Sequence, residues 1–168
     1  NAKQTKNIYK AINTANAGGM GAKNKFDLKN NKTPDFRLME AMKFASEYDY
    51  IAAEYSIYFN NIINNISKNW RKYFKYMNNA ECATTATFLQ QIATNPDSLI
   101  ARKHDLNVAK QVSERFKGLA EEYCKLKNPN ILNNQLLLMD SELKIQGLNP
   151  GTTADVVVAS IFLNRLGL

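Results

Sequence analysis

The sequence predicts an all-α protein, a single globular helical bundle of about seven to nine helices. Apolar residues recur three and four positions apart along most of the chain, which is the helical period. Glycine, proline, asparagine and threonine clusters separate these segments, and no segment alternates as a strand does. The 168 residues, 45% hydrophobic and 22% charged, suit one domain with a real core. Asn1 and Ala2 are interpreted as the remainder of a cleaved expression tag, and residues 3–168 as that domain.

The net charge of +7 favours anionic partners such as a nucleotide, a phosphate ester or nucleic acid. No apolar run approaches the roughly 20 residues of a membrane span, so we expect no membrane partner. The chain has two cysteines and one histidine, which make neither a disulfide framework nor a zinc site. We therefore expect a reducing, cytoplasmic setting.

The first predicted helix covers residues 5 to 16, where apolar residues form one stripe. It ends at a glycine-rich turn containing Gly18, Gly19 and Gly21. Such a turn can wrap its backbone N–H groups around a phosphate, or it can simply end the helix. The polar residues 22 to 33 are predicted to form a loop.

The next helix is predicted to begin at Thr33-Pro34-Asp35, which combines an N-cap, a proline and an acidic first turn. Residues 51 to 66 then present a broad apolar face, and we expect it at the centre of the protein. Asp49 and Glu54 lie among aromatic residues there. They are either site carboxylates or solvated and capping groups.

Residues 70 to 77 interleave aromatic and basic side chains, as a nucleic-acid surface does. Aromatic residues at helical spacing more often form a core with lysine stems at its edge, so we do not expect nucleic acid as a partner. Residues 82 to 92 form a short helix, rich in alanine and threonine, that permits close helix packing. Asn95-Pro-Asp-Ser98 predicts a helix start capped near Asp97, and Arg102 and Lys103 stand at the end of that helix.

A long helix is predicted for residues 107 to 126, and Pro129 ends that segment. A further helix covers residues 133 to 146. Its candidate core positions are Leu136, Leu137, Met139, Leu143 and Ile145.

The stretch of residues 147 to 155 combines a helix stop at Gly147, a Pro150-Gly151 turn and a new helix start. Thr152 or Thr153 is predicted as the N-cap, with Asp155 in the first turn. A helix start with exposed N–H groups, hydroxyls and a carboxylate suits an anion or a metal-bound phosphate. The alternative is a well-capped helix and nothing more.

Several motifs together resemble one family, the triphosphoribosyl-dephospho-CoA synthases. The strongest is Leu148-Asn-Pro-Gly-Thr-Thr-Ala-Asp155, followed by Ile161-Phe-Leu163. In chain order, the others are Ile8-Tyr-Lys-Ala-Ile12, Asn16-Ala-Gly-Gly-Met-Gly21, Asp27, Leu38-Met-Glu-Ala-Met42, residues 45 to 55 and Pro96-Asp-Ser-Leu-Ile-Ala-Arg-Lys-His104. The resemblance covers nearly the whole chain. The chain resembles the C-terminal part of the family members, which carry a further N-terminal region.

The resemblance implies a pentosyl transferase that moves the 5-triphosphoribosyl group of ATP to the 2′-hydroxyl of 3′-dephospho-CoA and releases adenine. The cofactor it implies is Mg²⁺, bound together with ATP. The partners it implies are ATP and dephospho-CoA-like molecules. The implied catalytic residues are Asp155, Asp97 and Asp49, with Asp155 and Asp97 as Mg²⁺ ligands. The implied substrate-binding residues are Gly18, Gly19, Gly21, Arg102, Lys103, Asn149, Gly151, Thr152 and Thr153.

Two other functions stay open at this point. One is a non-catalytic helical module that binds a nucleotide or CoA, and the other is a basic helical interaction protein. A homodimer would bury the aromatic face of residues 55 to 74, and a missing N-terminal part would complete the active site.

Overall fold

The computed structural model describes residues 1–15, 25–28 and 34–167. It confirms the all-α prediction, because these residues form nine α-helices and no strand. The α-helices are α1 (Ala2–Ala15), α2 (Leu38–Ala45), α3 (Tyr50–Ser56), α4 (Ser67–Met77), α5 (Ala80–Thr94), α6 (Ser98–Lys103), α7 (Leu106–Lys125), α8 (Asn133–Ile145) and α9 (Gly151–Arg165). A π-helical turn (Ile62–Ile66) precedes α4, and a 3₁₀ turn (Pro129–Leu132) precedes α8. Within these ranges, no helix is both long enough and apolar enough to cross a membrane.

The chain divides into two compact units, Asn1–Tyr58 and Phe59–Leu168, and each is described by itself. In the first unit, α2 packs against α1 and α3. Its aromatic rings meet edge to face, with ring centroids 4.6 to 6.2 Å apart, as their quadrupoles favour. The rings belong to Tyr9, Phe26, Phe36, Phe44 and Tyr48.

The expectation that residues 51 to 66 present one face at the centre is wrong. Helix α3 ends at Ser56, and Tyr58 and Phe59 follow it with φ angles of +55° and +59°. This left-handed backbone cannot continue a helix. Tyr58 is 75% exposed, whereas Ile62 and Ile66 of the π-helical turn are buried. The apolar residues of this stretch therefore belong to two different units.

The centre of the second unit is α5, which packs against α4, α7 and α9. Ala83, Ala86, Leu89 and Ile92 are at most 1% exposed. The small side chains let neighbouring helices approach closely on several sides, as the alanine and threonine content of this helix predicts.

Two predicted sets of core residues are only partly buried. In residues 70 to 77, Trp70 stacks on Phe74 and Met77 is buried, but Phe74 and Tyr76 are exposed. In α8, Leu143 is buried and Leu136 and Met139 are half-buried. Leu137 and Ile145 are exposed, so the prediction was wrong for those two positions, which lie on the outer side of the helix.

Candidate active site at the start of two helices

Asp97 caps the start of α6. Its Oδ1 atom accepts hydrogen bonds from the backbone N–H groups of Leu99 and Ile100, at 2.9 and 3.1 Å. These are two of the four donors that a helix start leaves without partners inside the helix. The cap predicted from the local Asn-Pro-Asp-Ser pattern is confirmed.

The second carboxylate oxygen of Asp97 binds the start of another helix. Oδ2 accepts hydrogen bonds from the backbone N–H and the hydroxyl of Thr153, at 2.7 and 2.8 Å. Beside it, the hydroxyls of Ser98 and Thr152 are 3.1 Å apart and hydrogen-bonded. One carboxylate thus joins the starts of α6 and α9, and we name this arrangement, made by Asp97, Ser98, Thr152 and Thr153, the junction.

Burial makes the junction strong. Asp97 is 2% exposed, and Ser98, Thr152 and Thr153 are also buried. A buried carboxylate is costly unless hydrogen bonds replace its water, and here four of them do. Asp97 could bind a metal only by giving up hydrogen bonds that hold α6 and α9 together.

The start of α9 differs from the local prediction. The helix begins at Gly151 and its N-cap is Pro150, which has no capping side chain. Thr152 and Thr153 lie inside the first turn, so the prediction that either is the N-cap was wrong. Thr153 donates to Asp97, and the Thr152 hydroxyl pairs with that of Ser98. Asp155 is exposed and lies beyond the first turn, contrary to the expectation. The physical reason is that Asp97, 56 positions away, supplies the acceptor that a local cap would have supplied.

Gly151 lies against the side chain of Leu99 in α6. A Cβ atom at this position would lie 2.7 Å from a terminal methyl carbon of Leu99, which is closer than carbon atoms pack. The side-chain amide of Asn149 is the next nearest group, and Asn149 itself is exposed. A larger residue at this position would require the end of the Leu99 side chain to shift.

The other end of α6 contacts the loop before α9. A ring nitrogen of His104 lies 3.3 Å from the carbonyl oxygen of Gly147, which has a φ angle of +67°. Arg102 and Lys103 are exposed in the last turn of α6, just before this contact. Both basic residues therefore lie on the end of α6 that makes this contact.

The remaining predicted site residues are not brought to the junction by any described contact. Asp49 lies in the first unit and caps α3 by accepting a hydrogen bond from Ala52 N–H at 3.0 Å. Gly18, Gly19 and Gly21 lie outside the described residues. Among the residues that the structure describes, no group of three histidine, cysteine or acidic side chains could hold a metal ion.

Two buried carboxylates of the first unit are not among the implied catalytic residues, although the sequence left Glu54 open as a site carboxylate. Asp27 is 7% exposed and Glu54 is 2% exposed. Phe26, next to Asp27, has a φ angle of +56°, and its carbonyl accepts a 2.7 Å hydrogen bond from the Tyr9 hydroxyl. Burial, and then the charge of Asp27, raise the pKa of Tyr9. The polar sequence around Asp27 resembles a solvated loop, and only its presence in the family resemblance could have singled it out.

The protein is all-α, and in its second unit the buried carboxylate of Asp97 is hydrogen-bonded to the starts of α6 and α9. The family comparison is more specific. Residues 1–168, the whole chain, match the family described as CitG, ATP:dephospho-CoA triphosphoribosyl transferase. The chain belongs to this family, which is one of transferases that use ATP, and the resemblance drawn from its motifs is confirmed. Comparison with curated proteins and with solved structures gave no match.

Proposed function

We propose that the chain transfers the 5-triphosphoribosyl group of ATP to the 2′-hydroxyl of 3′-dephospho-CoA and releases adenine. Membership of the family over all 168 residues is the observation that carries this proposal. The junction supports it, because it fixes the start of α9, and the exposed side chains of Asn149 and Asp155 lie close to that start in the chain.

The proposed reaction breaks one bond and forms another at the anomeric carbon of ATP. The bond from this carbon to adenine breaks, and its electron pair leaves with adenine, which then takes up a proton. The 2′-oxygen of the acceptor forms the new bond and releases its proton to a base, while the triphosphate is retained. Such a glycosyl transfer passes through an oxocarbenium-like transition state. It needs a base near the hydroxyl and donors or cations around the triphosphate.

Asp155 is the proposed base. It is exposed on α9, the helix whose start the junction fixes, and it accepts no hydrogen bond from the described part of the chain. Its carboxylate is therefore available to an acceptor hydroxyl. Asn149, exposed just before α9, can hydrogen-bond a ribose or phosphate oxygen with its amide.

Arg102 and Lys103 are proposed to bind the triphosphate, since both side chains are exposed in the last turn of α6. The backbone N–H groups of Gly151 and Thr152 are further donors at the start of α9. Asp97 is proposed as a positioning residue that acts through Thr153. Both of its carboxylate oxygens already accept hydrogen bonds from the starts of α6 and α9.

Magnesium enters this proposal only with ATP. The junction does not fit a dedicated magnesium site, because the Asp97 oxygens are occupied and Asp155 alone is one carboxylate. Magnesium bound to a nucleotide usually needs only one or two protein carboxylates.

Catalysis by Asp49 and phosphate binding by Gly18, Gly19 and Gly21 stay predictions, as do the cytoplasmic location and the homodimer.

The test is to measure adenine release by chromatography with ATP, magnesium and 3′-dephospho-CoA. We expect adenine and the triphosphoribosyl-linked product in equal amounts, and neither when 3′-dephospho-CoA is left out. ATP binding without adenine release would contradict the proposal and favour the non-catalytic nucleotide-binding module. That alternative draws support from Asp97, whose carboxylate is committed to the fold.

A basic interaction protein would behave differently from both. Its affinity for an acidic partner would fall steeply as salt rises, and ATP would not compete. Equilibrium dialysis with labelled ATP at two salt concentrations separates this alternative from the first two.

A further inference from the structure

The second unit contains a cavity that the junction does not use. It lies between α4, α5 and α7 and has a volume of about 740 Å³. Ligand pockets typically measure roughly 300–1,000 Å³, so the space suits a small organic molecule. None of the junction residues lines it. We name it the α4–α7 cavity.

One wall of the cavity is aromatic and apolar. Tyr73 and Tyr76 of α4 line it, together with Ala93 of α5 and Ala120 of α7. The Tyr73 hydroxyl donates to the side-chain oxygen of Gln90 at 3.2 Å. The Tyr76 hydroxyl donates to the carbonyl oxygen of Lys125 at 2.9 Å. Both hydroxyls are satisfied within the protein, which holds the rings in place and leaves their carbon atoms to contact a ligand.

The charge of the cavity is positive. Lys72 of α4 and Lys117 and Lys125 of α7 line it, against one acidic residue, Glu121. Lys117 pairs with Glu114. Lys72 and Lys125 make no ion pair within the described part of the chain, and they stand on different helices. An anion between them would be attracted from two sides.

We propose that the α4–α7 cavity binds a nucleoside phosphate, with the aromatic base against Tyr73 and Tyr76 and the phosphate between Lys72 and Lys125. A flat ring gains from contact with aromatic side chains, and lysine is a common phosphate ligand. The site is separate from the junction. The inference does not rest on the proposed transferase reaction.

The test uses AMP as the probe, because AMP lacks the triphosphate that the transferase reaction needs. Isothermal titration calorimetry of the full chain is expected to show binding of AMP that Lys72→Glu and Lys125→Glu each weaken at least about fivefold, as loss of one favourable charge pair implies. Lys75→Glu and Lys127→Glu are the matched controls. They make the same charge change at neighbouring exposed residues that do not line the cavity, and they should change the affinity less than about twofold. Equal weakening by all four variants would overturn the proposal.

Two further probes test the two halves of the ligand. Adenosine and inorganic phosphate should each bind at least about fivefold more weakly than AMP, since each lacks one set of contacts. Phosphate binding as tightly as AMP would show that the tyrosine wall does not contact the ligand. The absence of AMP binding to the wild-type chain would overturn the proposal outright, whatever the result of the adenine-release assay.

Cys124 provides a test of location. Its half-buried side chain lines the cavity, whereas Cys82 is buried and does not. Burial raises the pKa of the Cys124 thiol, so alkylation by iodoacetamide should be followed at alkaline pH by mass spectrometry. AMP should slow alkylation of Cys124 and leave Cys82 unaffected. AMP binding without protection of Cys124 would place the ligand elsewhere.

Discussion

Asp97 and Asp155 are both aspartates close to a helix start, yet their surroundings are opposite. Asp97 is 2% exposed and accepts four hydrogen bonds from two helices. Asp155 is exposed on the second of these helices and accepts none from the described residues. A carboxylate whose lone pairs are all used by the fold can hold a site in shape, whereas an exposed carboxylate can take a substrate proton. The buried Asp97 carboxylate is therefore expected to govern stability, and the exposed Asp155 carboxylate is expected to govern activity.

Removal of the Asp97 carboxylate should have the largest effect. Asp97→Ala leaves the N–H groups of Leu99, Ile100 and Thr153 without their acceptor in a buried place. Loss of a cap and burial of unsatisfied donors together should lower the free energy of unfolding by about 3 kcal/mol. Urea unfolding monitored by circular dichroism measures the change. Asp97→Asn keeps one acceptor oxygen and should lose less, so equal losses for the two variants would contradict the assigned geometry.

Asp155→Asn should act on activity instead. Loss of a general base typically slows a reaction by about 100-fold or more, so adenine release should fall by at least that factor. The unfolding free energy should change by no more than about 0.5 kcal/mol, because Asp155 is exposed. Glu122→Gln removes one negative charge at an exposed position of α7 and is the matched control. Wild-type adenine release from Asp155→Asn would remove this residue from the proposed mechanism.

The sequence predicted one half of the junction and not the other. The Asn-Pro-Asp-Ser pattern indicated Asp97 as the cap of α6 because that bond closes over two or three residues. The bonds from Asp97 to Thr153 close over 56 residues, and no local pattern contains that information. For the same reason Thr152 and Thr153 were predicted as local caps, although Asp97 supplies the acceptor from another helix.

The fold shows the same division between local and distant information. Helical periodicity correctly predicted an all-α chain, because the period depends on neighbours three and four positions away. Periodicity could not show which apolar face is covered. Ile145 fits the predicted stripe of α8 but is 85% exposed, whereas Glu54 is charged but 2% exposed. Burial depends on which other helices pack there, and only the tertiary structure gives that.

Loss of the Thr153 hydroxyl should have a smaller effect than loss of Asp97. Thr153→Val keeps the shape of the side chain and the backbone N–H bond to Asp97, but it removes the 2.8 Å hydroxyl bond. The Oδ2 atom of Asp97 still accepts from the backbone N–H at position 153. The unfolding free energy should therefore fall by only about 1–2 kcal/mol. Urea unfolding of Thr153→Val and Thr152→Val, side by side, checks this.

Thr152→Val is the matched comparison, because it removes the neutral hydroxyl pair with Ser98 and leaves Asp97 intact. A hydrogen bond to a charged group is stronger than one between neutral groups, so Thr152→Val should cost less than Thr153→Val. The reverse order would show that the Asp97 carboxylate does not dominate the junction.

The contact between His104 and Gly147 should contribute least. It is a single hydrogen bond of 3.3 Å at an exposed residue, where water can replace either partner. His104→Ala should therefore change the unfolding free energy by less than about 0.5 kcal/mol, in contrast to the buried bonds at the other end of α6. A loss above about 1 kcal/mol in urea unfolding would mean that the loop before α9 is held from both ends of α6. In that case an exposed contact would share in stability, and the contrast between buried and exposed groups would fail.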